Sequence, residues 1–203
     1  MGSVTAFVLA GGRSSRMGSD KALLTFHDQT MLARALSTAA AVAGKVVIVG
    51  PRERYARYGE VIGDLYAGCG PLGGIHAALS ATGTDLNLLL SVDTPLMTAE
   101  FLGWLLERAR NAGEWMVVPD ALGGRQPLCA VYRRPVQALV EQALKDGDYK
   151  IGHMFSRAPT LYIPEMEICE AGFSPEIFSN VNSPEEYEAL LQDQPATLTK
   201  REG

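Results

Sequence analysis

Hydrophobic residues follow two different spacings along this chain. Continuous apolar runs indicate buried strands, because a central parallel strand is covered on both of its faces. These runs occupy 4–9, 45–49, 86–92 and 115–119. Between them, apolar positions recur three and four residues apart, which predicts helices over 30–43, 73–81 and 98–112.

The second half of the chain continues the alternation with weaker patterns. Shorter apolar segments predict later strands at 127–134 and 160–163, with an antiparallel edge strand among them. Helical spacing recurs over 135–147 and 183–193. The second of these helices begins with a good start signal, since Ser183 can cap it and Pro184 suits its first position.

Alternating strands and helices predict an α/β fold, a Rossmann-like doubly wound and mostly parallel sheet with helices on both faces. A length of 203 residues without a linker predicts one domain over 1–203, ending in a polar tail at about 194–203. In such sheets, ligands bind outside the carboxyl ends of the strands, near the switch point. The turn after the first strand is therefore the first place to look for a site.

That turn is rich in glycine and in positive charge. Gly11 and Gly12 allow a sharp bend whose N–H groups can form an anion-binding concavity. Arginine forks and a lysine ammonium suit phosphate oxygens, so the turn has the chemistry of a triphosphate cradle. A surface turn with solvated arginines is the alternative. The residues expected at the cradle are Leu9, Ala10, Gly11, Gly12, Arg13, Ser14, Arg16 and Lys21.

Asp93 is the candidate metal ligand. It follows an apolar strand, so its carboxylate is expected at the same edge as the glycine-rich turn. Mg²⁺ is commonly held by one or two carboxylates together with substrate phosphates and water, so a single aspartate is enough. The alternative is structural, because Asp93, Thr94 and Pro95 also form a good turn sequence.

Composition narrows the ligand class. A net charge of −5 argues against a nucleic-acid polymer as the main partner, but it leaves room for a small anionic ligand in a local basic pocket. The three cysteines are far apart and form no paired motif, which predicts a reducing cytoplasm. No apolar run approaches the length of a membrane span, so no membrane association is expected.

The segment LAGGRSSRMGSDKALL (9–24) resembles the N-terminal signature of the molybdenum cofactor guanylyltransferase family. Four further segments resemble family motifs in the expected order: GPLGGIHAAL (70–79), VDTP (92–95), RQPLCAVYRR (125–134) and NVNSPEE (180–186). The resemblance covers roughly residues 4–191. It implies a Rossmann-like fold of the nucleotide-diphospho-sugar transferase type.

The resemblance also implies a reaction: transfer of GMP from GTP to the terminal phosphate of molybdopterin, with Mg²⁺ on Asp93. It implies proteins that supply the cofactor and receive the product. Arg16 and Lys21 become the catalytic candidates, while Asp64 and Gly73 join the nucleotide side. Lys150, Asn180 and Asn182 fall on the molybdopterin side. From the residues alone, Asp64 could instead cap a loop, the asparagines could serve helix entry, and Lys150 could be a solvated side chain.

Three rival functions stay open. The first is a related nucleotidyltransferase that uses CTP or a sugar phosphate acceptor; Gly12 favours guanine, because cytidylyl relatives tend to carry LAAG. The family often has an asparagine near the base pocket, where this chain has Val49-Gly50-Pro51-Arg52. The second is a non-catalytic nucleotide-binding regulator. The third is an NAD oxidoreductase, suggested by GCGPLG (68–73) but disfavoured because no strand directly precedes it and Pro71 lacks an N–H.

Overall fold

The computed structural model describes residues 3–11, 20–66, 68–183 and 185–188. The strands are β1 (Val4–Leu9), β2 (Thr25–Phe26), β3 (Gln29–Thr30), β4 (Lys45–Val49), β5 (Val61–Ile62), β6 (Leu86–Ser91), β7 (Met116–Ala121), β8 (Gly124–Arg125), β9 (Cys129–Arg133) and β10 (Thr160–Pro164). The α-helices are α1 (Met31–Ala40), α2 (Arg52–Tyr55), α3 (Pro71–Ala81), α4 (Ala99–Asn111), α5 (Val136–Lys145), α6 (Ile151–Met154) and α7 (Glu165–Glu170). Two short 3₁₀ helices lie at Lys21–Leu23 and Pro175–Phe178.

Eight strands of the described ranges form one sheet. Its order is β10-β7-β9-β6-β1-β4-β5, and β8 pairs with β7. The strands β1, β4, β5 and β6 run parallel, and β1 lies between β4 and β6. After β1 the chain moves outward to β4 and β5, and it then crosses to β6 on the other side of β1. The switch point of the sheet is therefore the boundary between β1 and β6.

Helices cover both faces of this sheet, and the core is divided accordingly. Strand β1 is buried at every position, with Val4, Ala6 and Val8 facing the core that includes α1 and α4. Phe7 and Leu9 face the core that includes α3 and α5. The predicted doubly wound, mostly parallel α/β fold is confirmed. Within the described ranges, no helix combines the length and hydrophobicity needed to cross a bilayer.

Neither of the two later strands predicted from the sequence is an antiparallel edge strand, so that prediction was wrong. Strand β9 runs antiparallel between β6 and β7, in the interior of the sheet. The edge strand β10 runs parallel to its neighbour β7. Buried residues such as Ala130 and Val131 suit an interior strand, whereas β10 is only partly buried.

Helix boundaries follow their caps. Thr30 and Thr98 each accept a hydrogen bond from a backbone N–H in the first turn, so α1 and α4 begin one residue after the predicted starts. The helix predicted over 183–193 is described only at 185–188, and the predicted tail at 194–203 lies outside the described residues. The patterns missed the shortest elements: the β2–β3 hairpin, α2, β5, β8, α6, α7 and the two 3₁₀ helices.

Leu122 occupies an unfavourable backbone conformation, which leads to a stability prediction. Leu122 and Gly123 form the turn between β7 and β8 with φ values of 55° and 73°, as in a type I′ turn. The left-handed backbone conformation costs a leucine about 1–2 kcal/mol of folding free energy, whereas asparagine tolerates this conformation. We expect Leu122→Asn to raise the free energy of unfolding by about 0.5–1 kcal/mol in urea titration.

Two features of Leu122 make this test clean. Its side chain is 51% exposed, so little burial is lost, and its backbone N–H keeps its bond to Glu165 Oε2 at 2.6 Å. Leu122→Ala is the matched control, because alanine keeps the strain and should give no gain. If the asparagine variant is no more stable than the alanine variant, backbone strain is not what limits this turn.

Candidate active site

The switch point brings the predicted site residues to one edge of the sheet. Strands β1 and β6 are parallel neighbours, so their carboxyl ends meet, and Val92 N–H extends the pairing by donating to Leu9 O at 3.1 Å. Gly11 therefore follows one strand while Asp93 follows the other. This is the crevice where doubly wound sheets bind their ligands.

Lys21 lies at the centre of this crevice. Its Nζ donates to Asp93 Oδ2 at 3.1 Å and to Asn182 Oδ1 at 2.9 Å. The Lys21 and Asp93 side chains are only 15% and 23% exposed, so their attraction is less screened than that of a surface pair. The structure thus brings Lys21 and Asp93 together at the edge where both were expected, and it adds a contact between Asn182 and Lys21 that was not predicted.

The closing segment of the chain is fixed in place by a capping box. Ser183 Oγ accepts from Glu186 N–H at 3.2 Å, and Glu186 Oε2 accepts from Asn182 and Ser183 N–H groups at 2.5 and 3.2 Å. Val181 is buried, and its N–H donates to Asp93 O at 3.0 Å. Asn180 and Asn182 are both exposed on either side of it. These asparagines therefore lie at a helix entry, as the structural alternative supposed. The same capping box places Asn182 at the crevice.

The lysine is oriented by the residue before it. Asp20 caps the 3₁₀ turn at Lys21–Leu23 by accepting from Ala22 N–H at 3.2 Å. The turn is also tied to α1, because Met31 N–H donates to Leu24 O at 2.9 Å. On the opposite side of the crevice, Arg34 Nε donates to Pro95 O at 2.5 Å and supports the turn that carries Asp93.

Two backbone N–H groups at the start of the expected anion cradle are bound by the neighbouring strand β4. The N–H groups of Ala10 and Gly11 both donate to Val49 O, at 3.0 and 3.1 Å. These two N–H groups therefore already have an acceptor, because β4 and β1 pair up to the last residue of each strand. Gly12, Arg13, Ser14 and Arg16 lie outside the described residues.

Asp64 and Gly73 form a close structural contact. Asp64 Oδ1 accepts from Tyr66 N–H at 2.8 Å, so this carboxylate caps its own loop, as the structural alternative supposed. A Cβ on residue 73 would lie 2.6 Å from Asp64 Oδ2. Glycine is therefore required in the first turn of α3 for the carboxylate to approach the helix.

Oxygen ligands suited to a hard cation converge at Lys21. No group of three or more His, Cys, Asp or Glu side chains that could hold a metal exists among the described residues. However, Asp93 Oδ2 and Asn182 Oδ1 both contact the Lys21 ammonium, so two oxygens from distant parts of the chain face the same positive charge. Two oxygen donors fit the way Mg²⁺ is bound beside phosphates, with few protein ligands and the remaining positions filled by substrate and water.

Comparison with known proteins identifies the family. Residues 6–160 match the MobA-like NTP transferase domain. The chain belongs to this family. A Pelotomaculum thermopropionicum relative named as a probable molybdenum cofactor guanylyltransferase is 34% identical over 89% of this chain and 88% of its own.

Two solved structures place this MobA-like chain among known folds. Molybdopterin-guanine dinucleotide biosynthesis protein A from Archaeoglobus fulgidus is 26% identical, with a TM-score of 0.81 over 93% of this chain and 97% of its own. A Mycobacterium tuberculosis protein solved in complex with manganese is 17% identical, with a TM-score of 0.63 over 95% of this chain and 100% of its own. The second likeness shows the fold alone.

In this MobA-like chain, Lys150 belongs to a separate polar cluster. Lys150 is exposed, and its N–H donates to Asp148 Oδ1 at 3.4 Å. Asp148 also accepts from His153 Nδ1 at 2.9 Å and from Arg157 at 2.8 Å. Burial favours the neutral carboxyl, but His153, the Lys150 N–H and Arg157 outweigh it and lower the pKa of Asp148. The structure does not bring Lys150 into contact with Lys21, Asp93 or Asn182.

Sequence reasoning missed three supporting residues of this site. Asp20, Arg34 and Tyr55 hold the backbone on which Lys21 and Asp93 lie. Asp20 could have been found, because an aspartate immediately before a short apolar turn is a helix-start signal. Arg34 and Tyr55 gave no local signal, since their partners are distant in sequence.

Proposed function

We propose that this protein transfers GMP from GTP to the terminal phosphate of molybdopterin, releasing pyrophosphate. The observation that carries the proposal is the cluster of Lys21, Asp93 and Asn182 at the switch point of the sheet. Membership of the MobA-like NTP transferase family and the names of its relatives support the choice of substrates.

The reaction is a phosphoryl-group displacement. An oxygen of the acceptor phosphate attacks the α-phosphorus of GTP and forms the new P–O–P linkage. The bond from the α-phosphorus to the oxygen that bridges to the β-phosphate breaks, and pyrophosphate leaves with that electron pair. A phosphate nucleophile is already ionised near neutral pH, so positioning and charge stabilisation supply most of the rate.

The chain's own residues have separate parts in this proposal. Lys21 donates to the α-phosphate and to the leaving pyrophosphate. Asp93, helped by Asn182, holds Mg²⁺, which when bound adds positive charge against the phosphates. Leu9, Ala10 and Gly11 approach the nucleotide along the end of β1, while Gly12, Arg13, Ser14 and Arg16 complete the cradle.

The remaining residues give the nucleotide and acceptor sides of the crevice. Asp64 and Gly73 border the nucleotide at the start of α3, with the carboxylate held against the helix. Asn180 is proposed for the acceptor side next to Asn182, and Lys150 for the same side from its own cluster around Asp148. Proteins that supply molybdopterin and receive the product are proposed as partners, with the cytoplasm as the place of reaction.

The experiment is a panel of nucleotides with one acceptor. The purified chain is incubated with molybdopterin and each of GTP, CTP, ATP and UTP, with and without Mg²⁺, and pyrophosphate release is measured. We expect release with GTP and Mg²⁺ only. Release with CTP alone would make the protein a cytidylyltransferase. Nucleotide binding without release from any of the four would make it a non-catalytic binder.

A further inference from the structure

Tyr55 connects the two ends of the glycine-rich segment. It lies at the end of α2, is 1% exposed, and its hydroxyl is 3.2 Å from Ala10 O and 2.9 Å from each carboxylate oxygen of Asp20. Ala10 immediately precedes the segment 11–19, and Asp20 immediately follows it. The buried Tyr55 hydroxyl therefore contacts the two residues that flank this segment, Ala10 before it and Asp20 after it.

The neighbouring sequence makes room for this tyrosine. A Cβ on residue 50 would lie 3.1 Å from the Tyr55 ring, so glycine at this position lets the ring lie against the backbone at the end of β4. Val49, one residue earlier, accepts the N–H groups of Ala10 and Gly11. The segment VGPR (49–52) thus forms a contact between β4, α2 and the start of the glycine-rich segment.

The contact reaches Lys21 through Asp20. The Asp20 carboxylate also accepts the Ala22 N–H and so fixes the turn on which Lys21 lies. Arg54 Nη1 is 3.5 Å from Asp20 Oδ2 and balances part of its charge. Burial, and then the hydrogen bond to Asp20, raise the pKa of Tyr55 well above its ordinary value, so the hydroxyl stays a donor at every physiological pH.

We propose that Tyr55 is a positioning residue for nucleotidyl transfer: its hydroxyl holds Asp20 so that Lys21 points at Asp93 and Asn182. This role rests on the proposed function, since Lys21 is taken to stabilise the transferring phosphates. Tyr55 is 1% exposed and its hydroxyl contacts Ala10 O and Asp20, so it acts on the substrates through these residues rather than by touching them. Its effect is therefore expected on the rate of the chemical step and much less on nucleotide affinity.

The first test is Tyr55→Phe, which removes the hydroxyl and keeps the ring. We expect kcat to fall about tenfold while KM for GTP changes less than about threefold. Tyr58→Phe is the matched control, because its hydroxyl lies three residues along the chain and accepts from Arg57, and it should behave as wild type. A Tyr55→Phe enzyme with wild-type kcat would overturn the proposal and leave the proposed function standing.

A double-mutant comparison tests the route through Lys21. If Tyr55 acts by orienting Lys21, then adding Tyr55→Phe to Lys21→Ala should cause no further loss of kcat. A further tenfold loss in the double variant would contradict the route, because Tyr55 would then act independently of the lysine. If Tyr55 were purely structural, Tyr55→Phe would lower the unfolding midpoint, and its effect on kcat would be the same with or without Lys21.

A second readout does not need turnover. The amine of Lys21 can be acylated with an excess of reagent, and its labelling rate followed by peptide mass spectrometry, with the exposed Lys45 as internal reference. We expect Tyr55→Phe, but not Tyr58→Phe, to speed labelling of Lys21 several-fold relative to Lys45. An unchanged ratio would overturn the positioning role. A wild-type protein that shows the protection but no transfer would instead contradict the proposed function.

Discussion

Replacing Lys21 with alanine should lower kcat for GMP transfer by roughly ten- to hundredfold while the protein stays folded. The ammonium is held between two oxygens that belong to distant parts of the chain, Asp93 and Asn182. In this position it can meet negative charge that develops on the α-phosphate and the leaving pyrophosphate. Charge-assisted hydrogen bonds of this kind contribute about 1.5–3 kcal/mol each, which is the source of the expected range.

The matched control for Lys21 is Lys45→Ala. Lys45, the first residue of β4, also pairs with a carboxylate, Glu60, at 2.9 Å, but both side chains are more than half exposed. This variant should keep the wild-type kcat, since an exposed ion pair contributes little. Steady-state kinetics with saturating GTP and Mg²⁺ measures both. A Lys21→Ala enzyme with a near wild-type rate would remove the lysine from the mechanism.

The central strands were predictable because their patterns are strong. Strands β1, β4 and β6 are continuous apolar runs, and their buried positions leave only one sensible place for them, the middle of the sheet. The order of the later strands was not predictable in the same way. The sequence of strand β9 does not distinguish it from an edge strand. Its place between β6 and β7 depends on its pairing with both of these strands, which no local pattern reveals.

The same distinction applies to the site. Lys21 and Asp93 both come after strands of the switch point, so the topology predicts that they lie at the same edge of the sheet. Asn182 is 161 residues from Lys21. It reaches the site because the chain returns to this edge after the ten strands that the described residues form. The capping box at Ser183 and Glu186 was visible as a helix start, but nothing local showed what that helix start would face.

Backbone donors were the least predictable part of the site. A glycine-rich turn offers N–H groups, and the sequence cannot tell which of them already have acceptors. Val49 O takes two of these donors because β4 and β1 are in parallel register to the last residue of each. The sequence does not show which N–H groups are already bonded, because the competing acceptor lies on another strand.

Asn87 is a buried polar residue at the end of the sheet opposite the active-site crevice. Its replacement gives the second large expected effect, a loss of stability. Asn87 is fully buried among the leucines of strand β6. Its Nδ2 donates to Asp85 O at 3.1 Å and to Tyr132 O at 3.2 Å, and its Oδ1 accepts from Thr82 Oγ1 at 2.5 Å. The buried amide is therefore hydrogen-bonded through both its nitrogen and its oxygen, and it links β6 to the Tyr132 carbonyl of β9.

We expect Asn87→Asp to lower the free energy of unfolding by about 3–5 kcal/mol near neutral pH. The new carboxylate has nearly the same shape as the amide, but it turns a donor into an acceptor facing two carbonyl oxygens. Burial and these oxygens favour its neutral form, so its pKa in the folded state rises above the unfolded value of about 3.9. The folded state then binds more protons than the unfolded state, and stability falls as pH rises through the raised pKa.

Urea unfolding at pH 5 and pH 8 measures this effect and its sign. Asn111→Asp is the matched control, because it makes the same chemical change at an exposed helix end, where the cost is less than about 1 kcal/mol. The Asn87 variant should lose more stability at pH 8 than at pH 5, relative to that control. Equal losses for both variants at both pH values would mean that water reaches residue 87, and that the amide network is not what joins β6 to β9 at this end of the sheet.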